Sequence, residues 1–356
     1  MYRNTKNVPY YVFGRGSLAQ LGDLLKPRRE AVDGPVVYFV DHFFRDHELI
    51  GRLPMEKGDQ LHFVDSSSEP EVTRIDAFKE AVSAADSRTP CCVVGIGGGN
   101  ALDTAKAVAN LLTNPGKAED YQGWELVKNP AVYKIGIPTL SGTGSECSRT
   151  CVLTNIPKNL KLGMNSDYTV YDQLLLDPDL LATVPRDQYF YTGIDTFMHC
   201  VESLQGSYRN AIIDAFSVRA VQLCEEIFLS DDMMSEENRE KMMIASYIGG
   251  MAAGNVGVIH PFSAGLGVVL HVAHGLGNCL ALNVLGDIYP KEYKQFRTMI
   301  ERQGVNLPTG ICKDLTEEQY EGLYRGCIVH EKPLTNALGP DFKQILTREN
   351  LIERYK

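Results

Sequence analysis

The sequence predicts an N-terminal α/β domain built on a parallel sheet, followed by an all-helical C-terminal domain. Three observations lead there. Apolar, strand-like runs alternate with helix-period segments through the first half, the alternation stops near Asp177, and long helix-like stretches then follow without a convincing strand. Alternating strands and helices imply a parallel sheet covered by helices. The chain has 356 residues, more than one hydrophobic core usually serves, so two domains are expected, at residues 1–177 and 178–356.

The elements follow in order. VVYFVD (36–41) is a compact β-rich run, and QLHFVD (60–65) repeats it after a polar helical stretch. EVTRIDAFKEAVSAA (71–85) reads as an amphipathic helix. CCVVGIGGG (91–99) is a buried strand running into a glycine turn, and ALDTAKAVANLLT (101–113) has apolar residues at helical spacing. KIGIPTL (134–140) is another short strand, and residues 150–176 are β-like and fit either side of the boundary. Helical patterns then cover 186–205, 210–229, 236–253 and 260–285.

Composition narrows the classes of function. Apolar residues make up 44% and charged residues 22%, as in an ordinary globular protein. No apolar run reaches the ~18 residues of a membrane span, and the start MYRNTKNVPYYVFGRGS lacks the apolar core of a signal peptide, so a cytoplasmic protein without a membrane partner is expected. Nine cysteines, odd in number and irregularly spaced, read as buried free thiols. The net charge of −10 and the lack of a Lys/Arg cluster argue against nucleic acid.

Two loops carry the first chemistry. In GIGGGNALDTAK (95–106) a strand ends, three glycines follow, and a helix begins near Asn100. Glycines let the backbone approach a phosphate, and the helix N-terminus offers free N–H groups and the positive end of its dipole. A simple strand–helix turn needs one glycine, not three, so pyrophosphate binding is favoured. In IPTLSGTGSE (137–146), Thr139, Ser141, Thr143 and Ser145 alternate with small residues after a strand, which places this loop beside the first, at the carboxyl ends of strands. Ser141 or Ser145 as a hydrolase nucleophile lacks a surrounding GxSxG elbow. Asp41, closing VVYFVD, either accepts hydrogen bonds from a ribose 2′-hydroxyl or caps the following turn.

The second domain concentrates histidines. In GIDTFMHCVE (193–202), Asp195 and His199 stand four apart and share one helix face. Alone, the pair is either a hydrogen bond or part of a metal site. His260 follows the apolar stretch GGMAAGNVGVI, and His274 lies in HVAHGLGNCLALN. One carboxylate and three imidazoles form a donor set suited to Zn²⁺ or Fe²⁺.

The segments GGGNALDTAK, PTLSGTGSE, DPDLLATVPRDQYFYTGIDTFMHCVE and HPFSAGLGVVLHVAHGLGNCLALN resemble the iron-containing, or group III, alcohol dehydrogenases, in consistent order from about residue 8 to 290. The resemblance implies the dehydroquinate synthase-like plan, with a dinucleotide-binding α/β domain, a helical metal-binding domain and an active site in the cleft between them. It places metal ligands at Asp195, His199, His260 and His274. Nucleotide contacts fall on Asp41, Gly97, Gly98, Gly99, Asn100, Asp103, Thr139, Leu140, Thr143 and Ser145, with Lys161 beside the nucleotide and Leu180 as an apolar contact. It implies Fe²⁺ or Zn²⁺, NAD, a small alcohol or sugar acid as substrate, and a homodimer. A further histidine that many members carry four residues after the third ligand is Ala264 here, and His271 is an extra histidine that either lines the pocket or faces solvent. The start NVPYYVFGRGSLAQL and the ending ILTRENLIERYK look most like the branch that oxidises C8 of 3-deoxy-D-manno-octulosonate, with Arg149, Lys158 and Arg209 as candidate cations for its carboxylate. Glycerol-phosphate dehydrogenases and dehydroquinate synthases share the plan. All four ligand positions being filled argues against a degenerate, non-catalytic nucleotide binder.

Overall fold

The computed structural model describes residues 6–158 and 160–356. The chain divides into two compact units. The first runs to Leu140 and resumes over Ser145–Thr183, and the second comprises Ser141–Gly144 and Val184–Lys356. From the sequence a single cut is expected at 177/178. The structure instead carries the first unit to Thr183 and gives the short segment Ser141–Gly144 to the second.

The first unit holds strands β1 (Tyr10–Phe13), β2 (Val36–Asp41), β3 (Gln60–Val64), β4 (Cys92–Gly97), β5 (Gly123–Trp124), β6 (Lys134–Pro138), β7 (Thr150–Asn155), β8 (Leu160–Asn165) and β9 (Gln173–Leu176). Its helices are α1 (Leu21–Ala31), α2 (Val72–Ala85) and α3 (Gly99–Leu111). Six strands form a wholly parallel sheet in the order β1-β9-β6-β4-β2-β3. Every residue of β4 and β6 is buried, and so is all of β2 except Asp41, which is why these strands read as continuous apolar runs rather than alternating ones. Val37, Phe39 and Val93 pack with α2 and α3 on one face, while Tyr38, Val40, Val94 and Ile96 pack with Leu21 and Leu25 of α1 on the other. Gly95 lets α3 lie close to the sheet, because a Cβ there would stand 2.8 Å from the Cβ of Ala105. The β-like residues 150–176 resolve into an antiparallel β7–β8 hairpin, joined by β5 in a small second sheet, and the strand β9.

The order of the large sheet places its functional edge. β3 lies outside β2 in one direction, and β6, β9 and β1 follow β4 in the other, so the winding reverses between β2 and β4. In open α/β sheets the crevice beyond the strand ends at such a reversal is where ligands bind. Asp41 ends β2 and Gly97 ends β4.

The second unit is helical: α4 (Arg186–Gln205), α5 (Ala211–Phe228), α6 (Glu236–Gly249), α7 (Ile259–Leu270), α8 (His274–Val284), α9 (Pro290–Gln303), α10 (Glu317–Ile328), α11 (Glu331–Leu338), α12 (Phe342–Ile345) and α13 (Arg348–Tyr355). Every residue of α4 from Thr192 to Ser203 is buried, so this helix is the unit's axis, packed against α5, α6 and α8. The helical pattern expected over 260–285 is two helices. They break at His271, which takes the left-handed conformation at φ 55°. Among the described residues no single helix is long and apolar enough to cross a membrane.

One buried carboxylate ties the two ends of the first unit together. Asp177 has no exposed surface, and its Oδ1 accepts hydrogen bonds from Gly16 N at 3.0 Å and Asp179 N at 3.1 Å while Oδ2 accepts from Leu18 N at 3.0 Å. Removing it strands those backbone donors. Asp177→Ala is expected to destabilise the first unit by about 2–4 kcal/mol. Urea unfolding followed by the fluorescence of Trp124, the chain's one tryptophan, reads that unit; an unchanged midpoint would count against the role.

Candidate active site

The second unit gathers its polar side chains around α4. A turn of helix puts Asp195 and His199 on one face, and Glu202 follows on the same side another turn on. His260 stands in the first turn of α7, and His274 begins α8, which also supplies Asn278 one turn later. These three helices converge on Asp195, whose side chain is fully buried. His260 Nε2 lies 3.2 Å and His199 Nε2 3.7 Å from its Oδ1, and His274 Nε2 lies 3.5 Å from its Oδ2. Donor atoms of Asp195, His260 and His274 all fall within 4.8 Å of one another. His199 stands beside this trio, its ring stacked on that of His260 with centroids 4.5 Å apart.

The electrostatics of the cluster follow from its burial. Burial alone would raise the Asp195 carboxyl, but His199, His274 and His260 together hold it well below the usual carboxylate range. His199 is pushed down to about 4, chiefly by burial. Burial also opposes charge on His260, yet the carboxylates of Glu202 and Asp195 outweigh it and lift this group to about 10. Two stacked imidazoles do not both charge, and the proton goes to the ring held between two carboxylates.

The fit to a metal ion can be judged from these donors. Asp195 Oδ2 is buried without a hydrogen bond. The Nδ2 amide of Asn278 sits 2.7 Å from Asp195 Oδ1, 3.4 Å from His260 Nε2 and 3.3 Å from His274 Nε2, so acceptor atoms converge where a positive partner belongs. One carboxylate oxygen and imidazole nitrogens suit a borderline divalent ion such as Fe²⁺ or Zn²⁺. The residues fit.

Glu202 and Asn278 were not singled out in the sequence. A signal existed for Glu202, a carboxylate seven residues after Asp195 in an otherwise apolar helix. Asn278 lies four residues after His274, on the same helix face. His271 is exposed at the end of α7 and is not among the grouped donors, and Ala264 is buried.

In the first unit, five of the expected nucleotide positions adjoin. A Cβ on Gly97, whose φ is 151°, would stand 3.0 Å from the Cβ of Asp41, and one on Gly98 would stand 3.3 Å from the Leu140 side chain. Thr139 N donates to Gly97 O at 3.0 Å. These residues stand together at the carboxyl ends of β2, β4 and β6, with Gly99 opening α3. Asp41 caps its turn, accepting from Phe43 N at 3.0 Å and Ser66 Oγ at 2.7 Å, the second of the two roles read from the sequence.

The remaining positions have internal work. Asn100 donates to Ser68 O. Asp103 accepts from Ser145 Oγ and from Val152 N and pairs with the buried Lys106, whose ammonium also donates to Ser145 O at 2.7 Å. Lys161, on β8, pairs with Glu69 at 3.0 Å, and Leu180 belongs to the core with Val40 and Ile96. Thr143 lies in the segment that packs within the helical unit. There Gly142 N donates to Ser246 Oγ at 2.7 Å and Gly142 O accepts from Thr196 Oγ1 at 2.9 Å. A Cβ on Gly142 would fall 1.7 Å from Thr192 O, and one on Gly144 would fall 2.4 Å from Gly250 Cα. Close packing thus accounts for both glycines of the GTG motif.

The three cations expected to await a substrate carboxylate are already engaged. Arg149 holds Glu125 at 2.6 Å and Asp167 at 2.7 Å, Lys158 holds Glu119 at 2.8 Å, and Arg209 holds Asp214 at 2.8 Å. A basic residue beside a loop reveals nothing in sequence about the acid that folding brings to it.

The family model described as iron-containing alcohol dehydrogenase matches residues 9–178, and the one for the C-terminal part of the Fe-containing alcohol dehydrogenase family matches residues 189–322. The sulfoacetaldehyde reductase of Bilophila wadsworthia is 34% identical over 220 residues, 60% of this chain and 56% of that protein. The NAD-dependent methanol dehydrogenase of Bacillus methanolicus is 29% identical over 278 residues, 76% of this chain and 71% of the other. The crystal structure of sulfoacetaldehyde reductase from Bifidobacterium kashiwanohense in complex with NAD⁺ superposes with a TM-score of 0.81 at 24% identity, covering 100% of this chain and 98% of that one. At that identity the likeness speaks for the fold.

If Asp195 and His260 hold a metal, Asp195→Ala and His260→Ala are expected to weaken its binding by ~100-fold or more, beyond the usual cost of losing an outer partner. The circular dichroism should stay unchanged. Elemental analysis of protein purified without chelator decides it; a stoichiometric ion in either variant would sink the assignment.

Proposed function

The chain belongs to the iron-containing alcohol dehydrogenase family, and from that premise we propose that it is an Fe²⁺- and NAD-dependent enzyme interconverting a primary alcohol and an aldehyde. The observation that carries this reading is the convergence of Asp195, His260 and His274, with His199 stacked beside them, in the interior of the helical unit. These four residues would hold the ion, with Zn²⁺ as the alternative occupant. A divalent ion supplies Lewis acidity toward an alcohol or carbonyl oxygen, and the dinucleotide supplies the hydride acceptor or donor.

The chain's own residues do the rest. Asp195 contributes charge, fixed by its burial and by the Asn278 amide. The crevice of Asp41, Gly97, Gly98, Gly99, Thr139 and Leu140 would take the dinucleotide, with the start of α3 facing its pyrophosphate. Ala264, one turn after His260, carries no titratable group, so a proton leaving the substrate does not pass through that position. His271, exposed on the connection that leads to His274, is the titratable side chain nearest in sequence to that ligand.

For the substrate we propose the terminal C8 alcohol of 3-deoxy-D-manno-octulosonate, a sugar acid of lipopolysaccharide biosynthesis. Support comes from the likeness of NVPYYVFGRGSLAQL and ILTRENLIERYK to that branch. Iron-loaded enzyme should show kcat/KM for this acid at least about tenfold above that for propanediol or butanol, as a ratio that reports differential transition-state binding. Preference for the short neutral alcohols, or for sulfoacetaldehyde in the reverse direction, rejects the sugar acid and leaves the broader reading.

Asp41 sets a second expectation. Two like charges ~4 Å apart repel by roughly 1–4 kcal/mol across effective dielectrics of about 80 to 20, so a 2′-phosphate is disfavoured. NADP should bind at least about fivefold more weakly than NAD in a fluorescence titration, and Asp41→Gly should narrow the gap. Equal affinities in the unaltered enzyme would contradict the role of Asp41.

A further inference from the structure

Behind His260 lies a carboxylate that the reading above does not use. The Glu202 side chain has no exposed surface, and its Oε2 lies within hydrogen-bond distance of His260 Nδ1. Its Oε1 accepts from Ile259 N at 2.6 Å, at the first residue of α7, and faces Tyr289 Oη at 3.5 Å. Tyr289 Oη accepts from Val258 N at 3.1 Å, which leaves its own proton for Glu202. Gly257 admits this group of contacts, since a Cβ there would stand 2.5 Å from Tyr289 Oη and 3.2 Å from Glu202 Oε1.

We infer that Glu202 is a positioning residue that fixes which imidazole nitrogen of His260 faces the metal. The inference rests on the metal-site reading. An ionised carboxylate can only accept, so the Nδ1 that faces Oε2 carries the proton and Nε2, turned toward Asp195, is left as the ligand. Carboxylates that hold a ligating histidine in this way commonly raise metal affinity by ~10–100-fold. The same contacts also cap the start of α7, which has no side-chain cap of its own, so a purely structural role has to be separated from this one.

Glu202→Gln separates them. The glutamine has one acceptor oxygen, and Ile259 N–H claims it. Its NH₂ then faces His260 Nδ1, which must accept, and the ring's proton moves to Nε2 and blocks ligation. The variant keeps the cap and loses the tautomer. Chelator competition with Zn²⁺ should show binding weakened by ~10–100-fold, while the metal-free thermal midpoint changes little and the visible bands of Co²⁺-loaded protein shift. Zn²⁺ binding within about threefold of the unaltered protein would show Glu202 to be a helix cap only. A variant that does not fold leaves a second measurement on the unaltered, Zn²⁺-loaded protein. With ¹⁵N-labelled histidine, His260 should show a protonated Nδ1 and a metal-bound Nε2; the reverse assignment overturns the inference. If the unaltered protein binds neither Zn²⁺ nor Fe²⁺, the metal-site reading itself falls, an outcome distinct from normal binding with an indifferent Glu202.

Discussion

A fully buried carboxylate must be matched by positive charge or by strong donors, and in the helical unit that requirement falls on Asp195. The surrounding architecture can be understood as the answer. α4 is buried along its middle so that Asp195 lies away from water, and α7 and α8 start where their first turns can deliver His260 and His274 to it. Adding Glu202 gives two buried carboxylates against three imidazoles. With neutral rings the group carries two negative charges, which one divalent cation balances. Without the ion, a proton on His260 is the nearest substitute, and an ion that binds has to displace it.

Much of this was legible in the sequence for simple reasons. The central strands are buried on both faces and so appear as unbroken apolar runs, and glycines in a row mark a backbone that something must approach. Imidazoles within apolar helices are conspicuous because burial opposes their charge. The parts that were not legible depend on partners distant in sequence. Glu202 resembles any helical glutamate until His260, 58 residues away, is placed against it. Arg149 looks like an available cation until Glu125 and Asp167 close on it. Residues 260–285 read as one helix because a left-handed histidine at 271 has no signature in hydrophobic period.

The nucleotide positions divide along a similar line. Asp41, Gly97, Gly98, Thr139 and Leu140 come together because neighbouring parallel strands end there, which strand order alone explains. Asp103, Ser145 and Lys106 form a buried network that shapes the loop following β6, and buried polar groups of this kind persist only when their hydrogen bonds are met. Positions within one motif can thus separate into those that present a surface and those that hold it in shape.

The short segment Ser141–Gly144 has a consequence for dissecting the molecule. A fragment cut at the main boundary, starting at Val184, would contain α4 through α13 and every donor of the candidate metal centre, yet it would lack four residues of its own interior. Thr196 Oγ1 would lose its acceptor and Ser246 Oγ its donor, the first next to Asp195 in the chain and the second on α6, with a groove left where the Gly142 backbone had lain against Thr192. The helical half is therefore not an autonomous module in the genetic sense. Any gene fusion, truncation or domain exchange that hopes to move the metal centre must carry the tetrapeptide with it, from a place in the reading frame where the other half is still being made.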